Sequence, residues 1–251
     1  MTEMDGKRIL VIPDVHGRDF WKRAVEDTSC ERIVFLGDYV DPYKREGIDG
    51  GMALGVFFDV LELKKRCPDR VVLLLGNHDL HYLSAHFRAL ACGTRYDEDL
   101  ADILSDLMNV HRDDFCLAHE ETVNGKRFLF THAGVTSSWY QRHYMAIKAL
   151  NAEHLNGLLL TAEGVAALAE VGRLRGGAAP SGSMVWADSD EMSSSRPFPD
   201  VYQIFGHSQQ KDGPIITDHY ACLDCRQPFV LDEQGVIQTF PSSALPIQRM
   251  V

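Results

Sequence analysis

Val71-Val72-Leu73-Leu74-Leu75-Gly76-Asn77-His78-Asp79 joins an apolar run to a turn that carries an amide, an imidazole and a carboxylate. Consecutive apolar residues closed by a glycine read as a buried strand that stops at a loop. The three groups behind Gly76 suit metal binding, proton transfer and phosphate contact. The same arrangement recurs in Pro13-Asp14-Val15-His16-Gly17, Gly37-Asp38-Tyr39-Val40-Asp41, Thr131-His132-Ala133-Gly134 and Gly206-His207-Ser208. Strands that each end in a candidate ligand describe a metal site along one edge of a sheet.

Working outward from this stretch, residues 7–12 and 32–36 read as earlier strands, stopped by Pro13 and Gly37. Residues 19–27 and 49–66 between them have apolar side chains at helical spacing, among them Ala53, Val56, Phe57, Val60 and Leu61. Strand, helix, strand in succession predicts a parallel sheet with its functional loops at the carboxyl ends of the strands. Further on, residues 98–110, 137–150 and 161–171 read as helices. Asn124-Gly125 is a hairpin signal joining strands 115–123 and 126–130. Residues 172–200 are rich in Gly, Ser and Pro and predict a long loop near the site, broken by Met184-Val185-Trp186. Residues 201–240 alternate strand-like runs with turns. The expected fold is a single α/β domain over 1–251.

The composition bounds the function. Lys and Arg number 25 against 36 Asp and Glu, a formal charge of −11, which argues against an extensive nucleic-acid or membrane-binding face. Met1-Thr2-Glu3-Met4-Asp5 has neither the basic nor the apolar region of a signal peptide, and no apolar run approaches a membrane span. The six cysteines follow no framework spacing and read as reduced thiols of a cytoplasmic protein. Cys222-Leu223-Asp224-Cys225, an isolated pair in strand-like surroundings, reads as packing.

Asp14, His16, Asp38, Asn77, His132 and His207 offer only oxygen and nitrogen donors, which favours divalent Mn, Fe, Zn or Ni over a closed structural zinc site. Any one of them alone would read as a polar loop residue or helix cap. Together they are too many for one tetrahedral ion and suit two ions sharing a carboxylate, with a hydroxide held for in-line attack.

The ordered set Asp14-X-His16, Gly37-Asp38-X-X-Asp41, Gly76-Asn77-His78-Asp79, Thr131-His132-Ala133-Gly134 and Gly206-His207-Ser208 resembles the motifs of the calcineurin-like metallophosphoesterases. The similarity is greatest to the branch of the phosphoprotein phosphatases and diadenosine tetraphosphatases. Trp186-Ala187-Asp188 is similar to the Trp-Ser-Asp-Pro stretch of that branch. The resemblance implies two packed β-sheets flanked by helices, an αββα sandwich, with two divalent cations, Mn foremost. Asp14, His16 and Asp38 would hold the first ion; Asp38 would bridge to a second held by Asn77, His132 and His207. His78 would be the general acid, with Asp41 orienting its imidazole and favouring the protonated form.

The chain also departs from that pattern. Pro42 stands where the phosphoprotein phosphatases have a phosphate-gripping Arg, Leu75 where they commonly have another, and Asp79 where they have Glu. Gln209 replaces the second His of the nuclease and cyclic-nucleotide branches. The phosphate clamp is therefore rebuilt, with Arg18, Arg45, Arg175 and Arg196 as candidates. Asp79 is a candidate loop anchor. His81, His86, His111, His119, His143, His154 and His219 read as surface or satisfied residues. The expected reaction is hydrolysis of a phosphomonoester, on a small molecule or a protein. A dinucleoside polyphosphate or other nucleotide is the alternative substrate, and a non-catalytic metal- or phosphate-binding module is the rival class.

Overall fold

The computed structural model describes residues 7–27 and 29–241. The reading of the first five residues, and the two ends of the domain span, lie outside the described residues. Four strands, β1 (Ile9–Ile12), β2 (Arg32–Phe35), β3 (Val71–Leu74) and β4 (Phe115–Cys116), run parallel in that order. Later in the chain, β5 (Ala118–Val123), β6 (Lys126–Thr131), β7 (Tyr202–Phe205), β8 (Ile215–Ile216) and β9 (Tyr220–Cys222) form a second sheet of order β5-β6-β7-β9-β8. β10 (Phe229–Leu231) and β11 (Ile237–Thr239) return antiparallel onto β1 and complete the first sheet.

The near-continuous apolar strands follow from burial on both faces. Ile9, Val11, Val34, Leu36 and Leu74 turn towards Phe128, Phe130, Tyr202 and Ile204 of the second sheet and make the layer between the sheets. The alternate residues Leu10, Ile12, Ile33, Phe35 and Leu73 pack outward against Trp21, Phe57, Val60 and Leu61. Leu129 on the other sheet joins Trp139, Leu155 and Leu158 in that outer core. The expected pair of packed sheets flanked by helices is therefore what the chain forms.

Helix α1 (Gly50–Arg66) begins where Asp49 accepts a hydrogen bond from the Met52 N–H, and basic residues fill its last turn. The remaining helices among the described residues are α2 (Asn77–Leu83), α3 (Ala85–Arg88), α4 (Ala101–Val110), α5 (Ser137–Arg142), α6 (Tyr144–Ile147), α7 (Ala152–Asn156), α8 (Ala162–Leu168) and α9 (Ser189–Ser193).

Several expectations are corrected. Residues 19–27 make turns and one 3-10 turn, Ala24–Glu26, not a helix: Trp21 leaves the local pattern to enter the outer core, and its indole N–H bonds to the Arg18 carbonyl. Residues 115–123 are not one strand. The chain leaves the first sheet at Cys116 and enters the second at Ala118, where Asn156 accepts from the N–H groups of Leu117 and Ala118. Residues 137–150 break into α5 and α6, and Lys148 ends the second with φ 63°. Residues 172–200 are a long connection that contains a 3-10 turn and α9. The hairpin stands as expected, with Asn124 and Gly125 both at positive φ.

Parallel pairing decides where the site lies. β1, β2, β3, β6 and β7 all point their carboxyl ends to one edge, and the segments that follow carry the quoted motifs. This is the edge at which open α/β sheets place their ligands.

Candidate metal and phosphate site

Asp14 and His16 follow β1, Asp38 and Asp41 follow β2, Asn77 and His78 follow β3, His132 follows β6 and His207 follows β7. Asn77 begins α2 rather than a loop, so the central motif is a strand-to-helix turn. Gly76 is needed for closeness, not for an unusual φ: a Cβ there would stand 2.1 Å from Asp38 Oδ1. Gly206 does the same for Asp14, whose Oδ1 would lie 2.2 Å from its Cβ.

Four of the expected site residues have left-handed backbones: His16 (φ 44°), Asp38 (φ 54°), Asp41 (φ 59°) and His207 (φ 63°). Such a conformation costs a side-chain-bearing residue on the order of 1–3 kcal/mol and persists only where surroundings impose it. Here they do. The His16 N–H donates to the Asp38 carbonyl at 2.7 Å and the Gly17 N–H to that of Tyr39 at 2.9 Å. Asp79, fully buried, accepts from the N–H groups of Asp38, Tyr39 and Gly76 at 2.7, 3.0 and 2.8 Å. It is the loop anchor the sequence suggested.

The side chains converge as two groups that share Asp38. Asp14, His16 and Asp38 form one; Asp38, His132 and His207 form the other; within each, the donor atoms lie within 4.8 Å of one another. Asp38 Oδ2 is 3.4 Å from His16 Nε2 and 3.6 Å from His132 Nε2. Asn77 Oδ1 and His207 Nδ1 are each 3.1 Å from His132 Nε2.

The donor chemistry fits cations. Nδ1 of His16 meets the Val40 carbonyl at 2.8 Å and Nδ1 of His132 the Leu36 carbonyl at 2.7 Å. A carbonyl only accepts, so each Nδ1 carries the hydrogen and each Nε2 presents its lone pair inward, the arrangement that orients metal-binding imidazoles. Burial pushes His16, His132 and His207 below the ordinary histidine value, towards the neutral form a cation needs. Burial, then the facing Asp38 charge, pushes Asp14 up to about 8. Burial also drives Asp38 upward, but the imidazoles of His132, His78 and His16 outweigh it and hold it low. His207 Nε2 is buried with no hydrogen-bond partner.

His78 stands beside this centre. Its Nδ1 lies 2.6 Å from Asp41 Oδ2, while the other Asp41 oxygen accepts from the Tyr82 hydroxyl. That fixes the ring and leaves Nε2 facing the site.

The arginines sort differently from expectation. Arg18 is tied down, with Nε donating to Glu46 at 2.7 Å and Nη1 to backbone carbonyls of the Asp14 turn. Arg175 pairs with Asp188 at 2.7 Å and approaches the site's rim through Ser208. Arg196 is exposed on a different recess, with Phe198, Thr217 and His219, and the structure does not bring it to the cluster. Arg45 lies 5.2 Å from the Tyr43 ring.

The group that the sequence did not disclose is Arg95. Its Nε donates to the Asp41 carbonyl at 2.9 Å, and its Nη2 is 3.1 Å from His16 Nε2 and 3.3 Å from His78 Nε2. The guanidinium lies 3.7 Å from the centre of the Tyr43 ring. No local pattern marks Arg95; it comes from the connection between α3 and α4. His81, expected to be a surface or satisfied residue, is neither. It is 1% exposed, neither ring nitrogen has a partner, and it groups with His78 and Asp41. The signal was present: His78 and His81, three apart on a helix, share a face. His111, His119 and His154 do find partners, and His86 and His219 are exposed. Trp186 of the long connection lies 6.0 Å from the His207 ring and 5.9 Å from that of His81. Cys222 packs with Met192 and Phe205, as read.

Comparison with known proteins gives three findings. The family model described as calcineurin-like phosphoesterase matches residues 7–224. A symmetrical bis(5'-nucleosyl)-tetraphosphatase from Paracidovorax citrulli is 30% identical over 143 residues. That match covers 52% of this chain and 45% of the relative, so the chain spans less than half of that protein's length. A protein serine/threonine phosphatase from Saccharomyces cerevisiae superposes with a TM-score of 0.51 at 14% identity, covering 96% of this chain and 82% of that one, which is a likeness of fold.

Proposed function

Since the chain belongs to the calcineurin-like phosphoesterase family of hydrolases, we propose that it cleaves a phosphomonoester, carried by a small molecule or a protein, with two divalent cations. The observation that carries this reading is Asp38 Oδ2, one oxygen within reach of both His16 Nε2 and His132 Nε2. Asp14, His16 and Asp38 would hold one ion; Asp38, Asn77, His132 and His207 would hold the other. Mn suits this mixture of carboxylate, amide and imidazole, and Fe, Zn and Ni are accommodated by the same donors. Bound, the pair supplies positive charge for phosphate oxygens and a water acidic enough to attack phosphorus.

The rest is done by the chain itself. Arg95 is placed to hold the phosphate, supplying from a distant connection the guanidinium that is missing at Pro42. Asp41 fixes the His78 ring through Nδ1, so that Nε2 delivers a proton to the departing oxygen. Tyr82 and the left-handed backbone at Asp41 keep that carboxylate aimed. Buried donors on a strained scaffold are held ready before substrate arrives.

A second reading, hydrolysis of a dinucleoside polyphosphate or other nucleotide, is favoured by the rim. Guanidinium groups of Arg18, Arg45, Arg95 and Arg226 lie within 5.3, 5.2, 3.7 and 5.9 Å of the Tyr43 ring centre, with Glu46 as the carboxylate pairing Arg18 and Arg226. That charge suits a second phosphate, and the bacterial relative is a tetraphosphatase. An aryl phosphate and a dinucleoside tetraphosphate, each assayed with Mn²⁺ and then in chelator, test both readings. Metal-dependent turnover of the first supports the monoester, and turnover of the second alone moves the assignment to the polyphosphate. Turnover that survives exhaustive chelation defeats the metal mechanism.

A further inference from the structure

His78, His81 and Asp41 bring donor atoms within 4.8 Å of one another, the same spacing that the two groups sharing Asp38 meet. His78 and Asp41 already serve the proposed reaction; His81 has no place in it. His81 is 1% exposed, and both its ring nitrogens lack partners. Buried polar groups are nearly always satisfied, so an imidazole with neither nitrogen bonded marks a missing partner. Its surroundings supply none: the His78 ring is 5.5 Å away, Trp186 5.9 Å and Tyr96 6.3 Å, centre to centre. The Tyr96 hydroxyl is itself buried and unbonded. Two imidazoles three residues apart on one face of α2, facing a buried carboxylate, are the donor set and number of an open zinc site.

We propose that His78, His81 and Asp41 form a third cation site, selective for Zn²⁺ over Mn²⁺, whose occupation shuts the enzyme off. Selectivity follows from the two nitrogen donors, because Zn²⁺ outranks Mn²⁺ at imidazole. Inhibition follows from geometry. A cation on His78 Nε2 takes the lone pair that would hold the acid proton; a cation on Nδ1 displaces the ring from Asp41. Either way the general acid is lost while the two-ion centre keeps its donors. The step is coordination alone: the proton released by His78 passes to solvent, and no bond in the substrate changes. The site rests on the reading of His78 as the acid.

The test uses the full chain with saturating Mn²⁺, titrated with Zn²⁺, with bound metals counted by mass spectrometry after equilibrium dialysis. Wild type should bind one Zn²⁺ beyond the two-ion complement and lose activity as that ion binds. His81→Asn should lack the extra ion and need at least about tenfold more Zn²⁺ for half-inhibition, the scale on which lost metal-site contacts act. His81→Phe, which fills the buried volume, repeats the comparison should the polar variant fold poorly. Zn²⁺ that merely replaced Mn²⁺ at the two-ion centre would inhibit wild type and both variants alike, and no extra ion would be counted. That result, or inhibition unchanged by either substitution, overturns the third site and leaves the proposed function standing. Absence of any Mn²⁺-dependent turnover in wild type would instead defeat the proposed function, and the metal count alone would then decide the site.

Discussion

The two sheets exchange charged contacts at both ends, and the two ends are built on opposite rules. At the amino ends of β1 and β2, Glu121 of β5 reaches across to the first sheet. It pairs with Lys7, with Arg32 at 3.0 Å and with His119 at 2.8 Å, so its oxygens are fully used. At the carboxyl ends, Asp14, Asp38, His16, His132 and His207 converge with no lysine among them, and His207 Nε2 and both nitrogens of His81 are left without partners. Residues of the same chemistry thus serve two purposes. The charge that joins the sheets is satisfied within the chain; at the other end buried imidazole nitrogens are left without partners and the backbone is strained.

The comparison is broken most severely at Asp38. Asp38→Asn should lower turnover on the order of 10⁴-fold or more, as expected for one member of a group that acts as a unit. It should also bind fewer than two ions, whereas Asp14→Asn should keep one at His132 and His207. Two ions retained by the Asp38 variant would show that the halves of the site do not share this oxygen. Next comes His78→Asn, expected to keep both ions and lose about 10² to 10⁴-fold in rate. The loss should be greater for alkyl than for aryl phosphates, since a poor leaving group needs its proton more. Equal losses for both would make His78 a positioning residue. Arg95→Ala should act mainly on KM, by roughly tenfold or more, the low end of the about 1.5–3 kcal/mol of a charge-assisted hydrogen bond. An unchanged KM would remove Arg95 from the phosphate clamp.

The smallest effect on turnover belongs to the other end. Glu121→Gln should leave activity per folded molecule within about twofold but cost about 1–3 kcal/mol of stability, because it strips the counter-charge from groups already desolvated. Burial pushes Glu121 up, but hydrogen bonds from His119 and Lys7 outweigh it and hold the carboxyl at about 2 against an ordinary 4.5. Its contribution is therefore full above about pH 4.5 and is lost as pH falls through about 2. Thermal melts of wild type and Glu121→Gln should converge over that window; parallel curves would mean that Glu121 does not join the sheets electrostatically.

Most of the candidate site is legible in the sequence, for a local reason. Asp14 and His16, Asp38 and Asp41, and Asn77 and His78 each sit within a few residues of a strand end, and parallel strands necessarily bring their carboxyl ends together. His132 and His207 carried the same grammar into the second sheet. The helix at 49–66 and the hairpin at Asn124 likewise rest on short-range signals of period, cap and turn, whereas the two-sheet architecture follows from the family resemblance. The misreadings have local causes too: Trp21 is drawn into the outer core from a segment with helical spacing, and Leu117 is a crossing point inside a continuous strand-like run.

The sequence by itself supplied the candidate donor set and the strand ends that present it, and the family resemblance implied a shared role for Asp38. Only the tertiary structure decided that Arg95, rather than Arg18 or Arg196, lies over His16 and His78, and that His81 is buried without a partner beside them. The reason is range. A strand-end ligand is placed by the backbone within a residue or two, so its motif travels with it. A guanidinium on a long side chain from the connection between α3 and α4 is placed by the contacts it finds, here the Asp41 carbonyl and the face of Tyr43, and no spacing along the chain encodes them.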